Sequence, residues 1–218
     1  MASDRFGAPM GVLFDLDGVL IDTEPVYTRI WQEIDARFPT GVDNFALKIK
    51  GTTLPDIMSR YYPDPDVDAE VRKMLEQSEK SMPYPLFGGA VVFLEELRRE
   101  GIPAAIVTSS GVAKMSRLFG MYAGLRELFG AVVTDSMVSR SKPDPEGYIL
   151  GAKLLDVPSQ RCVVFEDSFN GLRAGRAAGG KVVALATTNP RESLEGLADD
   201  LIDSISEYNV EKMKALFG

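Results

Sequence analysis

Five short apolar runs, each ending in polar residues, constrain this chain more than any other feature. They are MGVLF (residues 10–14), PAAIVT (103–108), AVVT (131–134), CVVF (162–165) and VVALA (182–186). Their apolar residues are nearly continuous rather than alternating, the pattern of parallel strands covered on both faces. Segments of helical spacing lie between them: GGAVVFLEELRRE (88–100), closed by Gly101, then PEGYILGAKLLD (145–156) and SFNGLRAGRAAG (168–179). The alternation predicts an α/β fold, a doubly wound and mostly parallel sheet. In open sheets of this kind ligands bind beyond the carboxyl ends of the strands. The polar residues that end the runs are therefore the first candidates for chemistry.

One interval is too long for a simple crossover. From Asp15 to Thr108 the chain advances 93 positions, where a strand–helix–strand unit needs roughly 30 or somewhat more. The excess contains EPVYTRIWQEIDARF, DNFALKIKG, LPDIMSRYY and DAEVRKMLEQSEKSM, with breaks near Pro39, Gly51 and Pro63. These read as four helices. The expected organisation is a core of residues 1–21 and 84–218, with a helical cap inserted at residues 22–83.

Composition narrows the chemistry. Of 218 residues 45% are hydrophobic, enough for a packed core, and the net charge is −8. An acidic chain is not expected to bind nucleic acid or an anionic membrane, which need a basic face. No run approaches a membrane span. The opening MASDRFGAPMG lacks the basic and apolar regions of a signal peptide, so a soluble cytoplasmic protein is expected. The single cysteine, Cys162, cannot form an internal disulfide and reads as a small buried hydrophobe. There is no histidine at all. Ser–His and Cys–His catalysis and His-ligated zinc are excluded.

Four strand ends carry the remaining possibilities. The first strand ends in Asp15 and Asp17, which point to one side of an extended chain with Leu16 between them. Two close carboxylates raise each other's pKa unless a cation neutralises them, and a hard divalent ion such as Mg²⁺ does so. A helix cap beside a solvated acid would also account for the pair taken alone. The second end is Thr108, followed by Ser109, Ser110 and Gly111 opening a helix. Hydroxyls and free amides there form either an anion site or an ordinary N-cap. The third is Lys142, in SKPDP, a point charge beside prolines. The fourth is Glu166 and Asp167, candidate metal ligands, with Glu166 alternatively a supporting partner. Together they offer carboxylates, hydroxyl and cation, the inventory of phosphoryl transfer. Gly171, Gly175 and Gly179 lack a nucleotide-loop context and read as helix–sheet packing. Trp31 and Phe38 read as core of the helical insertion.

DLDGVLIDTEP, VTSS, SKPDPEGY and FEDSFNG, in this order, resemble the four motifs of the haloacid dehalogenase superfamily over nearly the whole chain. The helical insertion resembles the cap of its β-phosphoglucomutase-like branch. The resemblance implies a nucleophilic Asp15 that forms an aspartyl-phosphate, and Asp17 as acid and base. It implies Mg²⁺ held by Asp15, the main-chain carbonyl of Asp17 and Asp167, with Glu166 as a further ligand or its supporting partner, and a phosphoryl group bound by Thr108, Ser109 and Lys142. Lys50, in KIKGTT of the insertion, is a candidate for the cap lysine that phosphonatase-type members use as a Schiff base, but reads rather as a substrate contact or a solvated lysine. Dehalogenases of the superfamily lack the second aspartate, so Asp17 points to phosphate chemistry. The β-phosphoglucomutase pattern has a histidine where this chain has Tyr27 and a phosphate-gripping arginine where it has Leu54. A phosphatase acting on a small phosphorylated metabolite, as a monomer by default, is therefore expected. Phosphomutase and inorganic pyrophosphatase are the alternatives. A receiver-type signalling domain would carry similar acids, Thr and Lys, but no helical cap.

Overall fold

The computed structural model describes residues 10–49 and 54–218. The chain runs β1 (Gly11–Phe14), α1 (Glu24–Arg37), α2 (Phe45–Lys48), α3 (Leu54–Tyr61), α4 (Pro65–Ser81) and α5 (Ala90–Arg99). It continues β2 (Ala104–Val107), α6 (Val112–Met121), β3 (Ala131–Val133), α7 (Glu146–Leu154) and β4 (Cys162–Glu166). It closes with α8 (Phe169–Ala177), β5 (Lys181–Leu185), α9 (Arg191–Leu194), β6 (Asp200–Ile202) and α10 (Val210–Ala215).

The strands form one parallel sheet in the order β3-β2-β1-β4-β5-β6. The chain winds outward from β1 through β2 to β3, then returns to place β4 on the other side of β1. That reversal opens a crevice at the carboxyl ends of β1 and β4, the usual ligand position in such sheets. Both faces of the sheet are covered, which is why the strand sequences are nearly continuous in apolar residues. On one face Phe14 and Phe165 stack with ring centroids 5.0 Å apart, and Phe93 of α5 meets Phe14 edge-on at 6.0 Å. On the other, Leu13, Val107 and Val164 pack with Tyr148, Ala152, Leu172 and Ala174 from α7 and α8. Cys162 lies fully buried at the start of β4, and burial pushes its thiol up to about 12.

The sixth strand was not expected from the sequence. β6 is three residues long, begins with an aspartate and pairs only with β5 in the sheet order. A short, polar edge strand has no periodic signature, and such edges guard against unwanted pairing.

Residues Thr23–Pro85 form a separate compact unit, distinct from the sheet-containing unit that ends at Asp22 and resumes at Leu86. It contains α1 to α4. Trp31 meets Phe45 edge-on at 5.9 Å, and Phe45 meets Tyr61 at 5.1 Å, while Ile34 and Val71 are fully buried. Asp64 starts α4 by accepting hydrogen bonds from the amides of Asp66 and Val67, with Pro65 in the first turn. That is a standard N-cap with proline where no amide is needed. Phe38 differs from the sequence expectation: it is half-buried, with the Arg37 guanidinium 5.4 Å from its ring centroid.

Close approach of α7 to the sheet depends on Gly151. A Cβ there would lie 2.8 Å from Val107 Cγ2 and 3.2 Å from Leu13 Cδ2. Gly151→Val is expected to destabilise the protein by about 1–3 kcal/mol through overpacking. Urea unfolding measures this, and an unchanged midpoint would refute the packing argument.

Candidate active site

Strand register brings the candidate residues into rows. Phe14 pairs with Ile106 of β2 and Phe165 of β4. Asp15 therefore lies level with Val107 and Glu166, and Thr108 and Asp167 stand one residue further along. The Asp15 amide donates to the Phe165 carbonyl at 3.0 Å, and the Thr108 amide to the Val133 carbonyl at 3.0 Å. Their backbones are thus held by the sheet itself. Asp15, Thr108, Glu166 and Asp167 are all buried. Ser109 is exposed, and Lys50 lies outside the described residues.

Lys142 bridges the row. Its ammonium donates to Asp15 Oδ1, to Glu166 Oε1 at 2.6 Å and to the Val107 carbonyl at 3.1 Å. It also sits 5.0 Å from the centre of the Tyr148 ring. The loop that carries it has a cis peptide at Lys142–Pro143. Glu166 has no solvent exposure. Besides Lys142, its Oε1 accepts from the Tyr148 hydroxyl at 2.8 Å. Its Oε2 accepts from the amides of Asp167 and Ser168, each at 3.0 Å, and from Ser168 Oγ at 2.9 Å. Gly171 makes room for it: a Cβ there would lie 1.7 Å from Oε1.

These contacts divide the charge unequally. Burial is the largest influence on each group. It raises Asp15 to about 7 despite Lys142, with negative Glu166 adding to the rise. Burial alone would raise Glu166 too, but Lys142, the Ser168 amide and the Tyr148 hydroxyl hold it below the ordinary glutamate value. Lys142 is desolvated, yet the two carboxylates keep it cationic, above the ordinary lysine value. Glu166 is thus the counter-ion held in its charged form, while Asp15 is an acid whose charge the protein only partly satisfies.

Asp167 is the second such acid. Burial, then the charges of Glu166 and Asp15, raise it well above the ordinary aspartate value. It is held by a loop that the sequence reading did not single out. The Thr188 hydroxyl donates to Asp167 Oδ2, and Asn189 Nδ2 donates to its carbonyl at 2.8 Å. Gly18, at φ +78°, passes so close that a Cβ would lie 1.9 Å from Asp167 Oδ2. Thr187 to Asn189 follow β5, so the rule that strand ends carry function extends to a fifth strand and would have found them.

Asp17 lies beyond the strand. Its carboxylate accepts from Lys114 Nζ at 2.6 and 2.7 Å and from Ser110 Oγ at 3.1 Å. Ser110 in turn donates its amide to Thr108 Oγ1 at 3.0 Å. Lys114 stands in the first turn of α6, inside an otherwise ordinary helix pattern, and no sequence signal marked it. Tyr148 was likewise passed over.

These directions bear on which carboxylates could hold a metal. Among the described residues, no three Asp, Glu, His or Cys side chains form a ready-made metal cage. The Glu166 carboxylate is turned to Lys142 and Tyr148, and the Asp17 carboxylate to Lys114. Asp15 and Asp167 remain, two buried carboxylates each raised in pKa, with the charge of Asp15 adding to the rise at Asp167. Hard oxygen donors left short of positive charge fit a divalent cation such as Mg²⁺, which takes one or two carboxylates and fills its shell with water, carbonyl and phosphate oxygens.

Glu166→Gln would leave the Lys142 ammonium with one buried carboxylate fewer. The expected loss is about 3–5 kcal/mol of stability, the cost of breaking a buried pair. The Glu166 pKa is depressed on folding, so this difference is complete above the ordinary value of 4.5 and shrinks as pH falls through the lowered one. Denaturant unfolding at neutral and acid pH measures it. An equal difference at both would contradict the assigned charge.

Known proteins resemble this chain in sequence and fold. The family model for haloacid dehalogenase-like hydrolases matches residues 9–179. The chain is 34% identical over 209 residues to hexitol phosphatase A of Escherichia coli, covering 93% of this chain and 94% of that protein. It is 31% identical over 212 residues to the bifunctional riboflavin kinase/FMN phosphatase of Arabidopsis thaliana, covering 92% of this chain. There it spans about half, 55%, of the relative's length. A HAD family hydrolase from Deinococcus radiodurans, solved with bound phosphate and sodium, superimposes with a TM-score of 0.78 at 28% identity, covering 97% of this chain and 98% of that one. With a family match over most of its length and acids at the ends of β1 and β4, the chain belongs to the haloacid dehalogenase-like hydrolases.

Proposed function

We propose that the protein is a Mg²⁺-dependent phosphatase that hydrolyses a small phosphate ester through an aspartyl-phosphate on Asp15. The observation that carries this reading is the Lys142 bridge. A buried ammonium is locked to Asp15 by a second, permanently charged carboxylate, Glu166. It stays in place whatever happens to the charge of Asp15. That is what a nucleophile needs when it exchanges its negative charge for a phosphoryl group.

In this scheme an Asp15 oxygen attacks phosphorus, and the bond from phosphorus to the ester oxygen breaks. The departing oxygen takes a proton from Asp17. Water then attacks phosphorus, gives its proton to Asp17, and the bond to Asp15 breaks, releasing inorganic phosphate. Lys142, Thr108 and the amides after β2 bind the phosphoryl oxygens, with exposed Ser109 at the rim. Asp15, Asp167 and the Asp17 carbonyl would hold Mg²⁺, which supplies electrostatic stabilisation of the phosphoryl oxygens. Glu166 fixes Lys142 rather than the metal. The helical unit, residues 22–83, would act as a cap that excludes water and selects the leaving group. Its own cavity, ≈ 270 Å³, is lined by Tyr27, Trp31, Glu79 and others. Tyr27 donates to Glu79 at 3.0 Å, so it is engaged at the position where the mutase pattern has histidine. That supports hydrolysis over isomerisation. The names of the hexitol and FMN phosphatases support a small phosphorylated metabolite as substrate. A cytoplasmic setting fits this chemistry.

Phosphate release from a panel of sugar phosphates, nucleotides and pyrophosphate with Mg²⁺ tests the proposal. Asp15→Asn is expected to lower kcat by roughly a thousandfold or more while the fold is retained, as loss of a nucleophile does. Retained turnover would sink the assignment. Excess EDTA is expected to stop catalysis and added Mg²⁺ to restore it, with Asp167→Asn raising the Mg²⁺ needed by roughly ten- to a hundredfold. Full activity in EDTA would rule out the metal.

A further inference from the structure

Asp15 takes its direction from the sheet, but Asp17 does not. It follows the last strand residue by three positions and precedes Gly18, where φ is +78° and the chain turns away. Something else must aim its carboxylate. Lys114 Nζ lies 2.6 Å from one oxygen and 2.7 Å from the other, and Ser110 Oγ is 3.1 Å from the second. An ammonium placed evenly between both oxygens fixes the direction of the carboxylate, and the Ser110 hydroxyl on one oxygen limits its rotation.

The pair is not an ordinary surface salt bridge. The Lys114 side chain is only 16% exposed, against 34% for Asp17. Exposed pairs contribute little because two long side chains must be ordered in water. Here the lysine is already confined. Its helix is anchored by Met115 and Leu118, both buried, which sets the rotation of α6 and directs Lys114 toward the turn after β1. The residues are 97 positions apart, so the contact is a product of the fold.

We propose that Lys114 is a positioning residue that orients the Asp17 carboxylate for proton transfer to the leaving oxygen. This rests on the reading of Asp17 as acid and base. Lys114 touches Asp17 and is given no contact with the phosphoryl group. Its effect should therefore scale with how much the leaving oxygen needs a proton. An alkyl phosphate releases a strongly basic alkoxide and depends on the proton. 4-Nitrophenyl phosphate releases a stable phenolate and does not. A purely structural ion pair would show no such dependence.

The test compares kcat/KM, which reports the half-reaction in which the leaving group departs, for glycerol phosphate and 4-nitrophenyl phosphate. The proteins are wild type, Lys114→Met, Lys114→Arg and Asp17→Asn. Lys114→Met is expected to lose roughly ten- to a hundredfold on glycerol phosphate, the scale of a misplaced catalytic group, and less than about threefold on 4-nitrophenyl phosphate. Lys114→Arg should recover most of the loss, since it restores a cation without the lysine's shape. A Lys114→Met profile equal to wild type, or equally reduced on both esters, overturns the inference while a selective Asp17→Asn defect leaves the acid–base reading standing. An Asp17→Asn profile equal to wild type overturns both. Should Lys114→Met fail to fold, Lys114→Gln takes its place: a loss confined to glycerol phosphate supports the role, and a profile equal to wild type or an equal loss on both esters overturns it.

Discussion

The structure of the site depends on one buried ammonium held between two carboxylates. Lys142 joins the end of β1, through Asp15, to the end of β4, through Glu166. Taking three charges out of water is costly, and the attraction offsets that cost only when hydrogen bonds fill the remaining positions. The surroundings supply them. Tyr148 and Ser168, with the amides after β4, complete Glu166, and the Val107 carbonyl completes Lys142. Asp15, at the carboxyl end of the crevice's first strand, is left only partly satisfied.

Two glycines make that arrangement sterically possible. Gly18 and Gly171 each occupy a place where a Cβ would overlap a carboxylate of the site. Neither is explained by turn geometry alone. Gly171 sits inside a helix, where glycine costs about 1 kcal/mol relative to alanine, and it lets α8 approach close enough for Glu166 to be covered. The same helix carries Gly175, whose Cβ would meet Val164 at 3.0 Å. Gly171 and Gly175 reflect packing, and Gly171 also shapes the site, whereas Gly179 lies beyond α8 at φ +85° and turns the chain after the helix.

Much was legible because strand ends in a parallel sheet all point one way. Once MGVLF, PAAIVT and CVVF are read as parallel strands, Asp15, Thr108, Glu166 and Asp167 must gather at one edge, and the structure gathers them. Lys142 was legible as a cation on the same edge. What escaped had no such periodic frame. Lys114 lies within a helix whose pattern says only which face is buried. Tyr148 is part of the core, yet its hydroxyl serves Glu166. The Thr187–Thr188–Asn189 loop followed a recognised strand and was passed over because hydroxyls and amides are common in turns.

The sequence by itself determined the layered α/β class, the helical insertion after the first strand, and the strand-end acids, since these follow from apolar periodicity and from the two-residue repeat of an extended chain. Only the tertiary structure decided what each acid does. Glu166 and Asp167 are neighbours in sequence and alike in chemistry, yet one is enclosed by five donors and charged, while the other is raised in pKa and short of a cation. That difference comes from Lys142, Tyr148 and Gly171 on one side, and Gly18 and Thr188 on the other. These residues lie up to 149 positions from the acids they serve, a distance no local pattern spans.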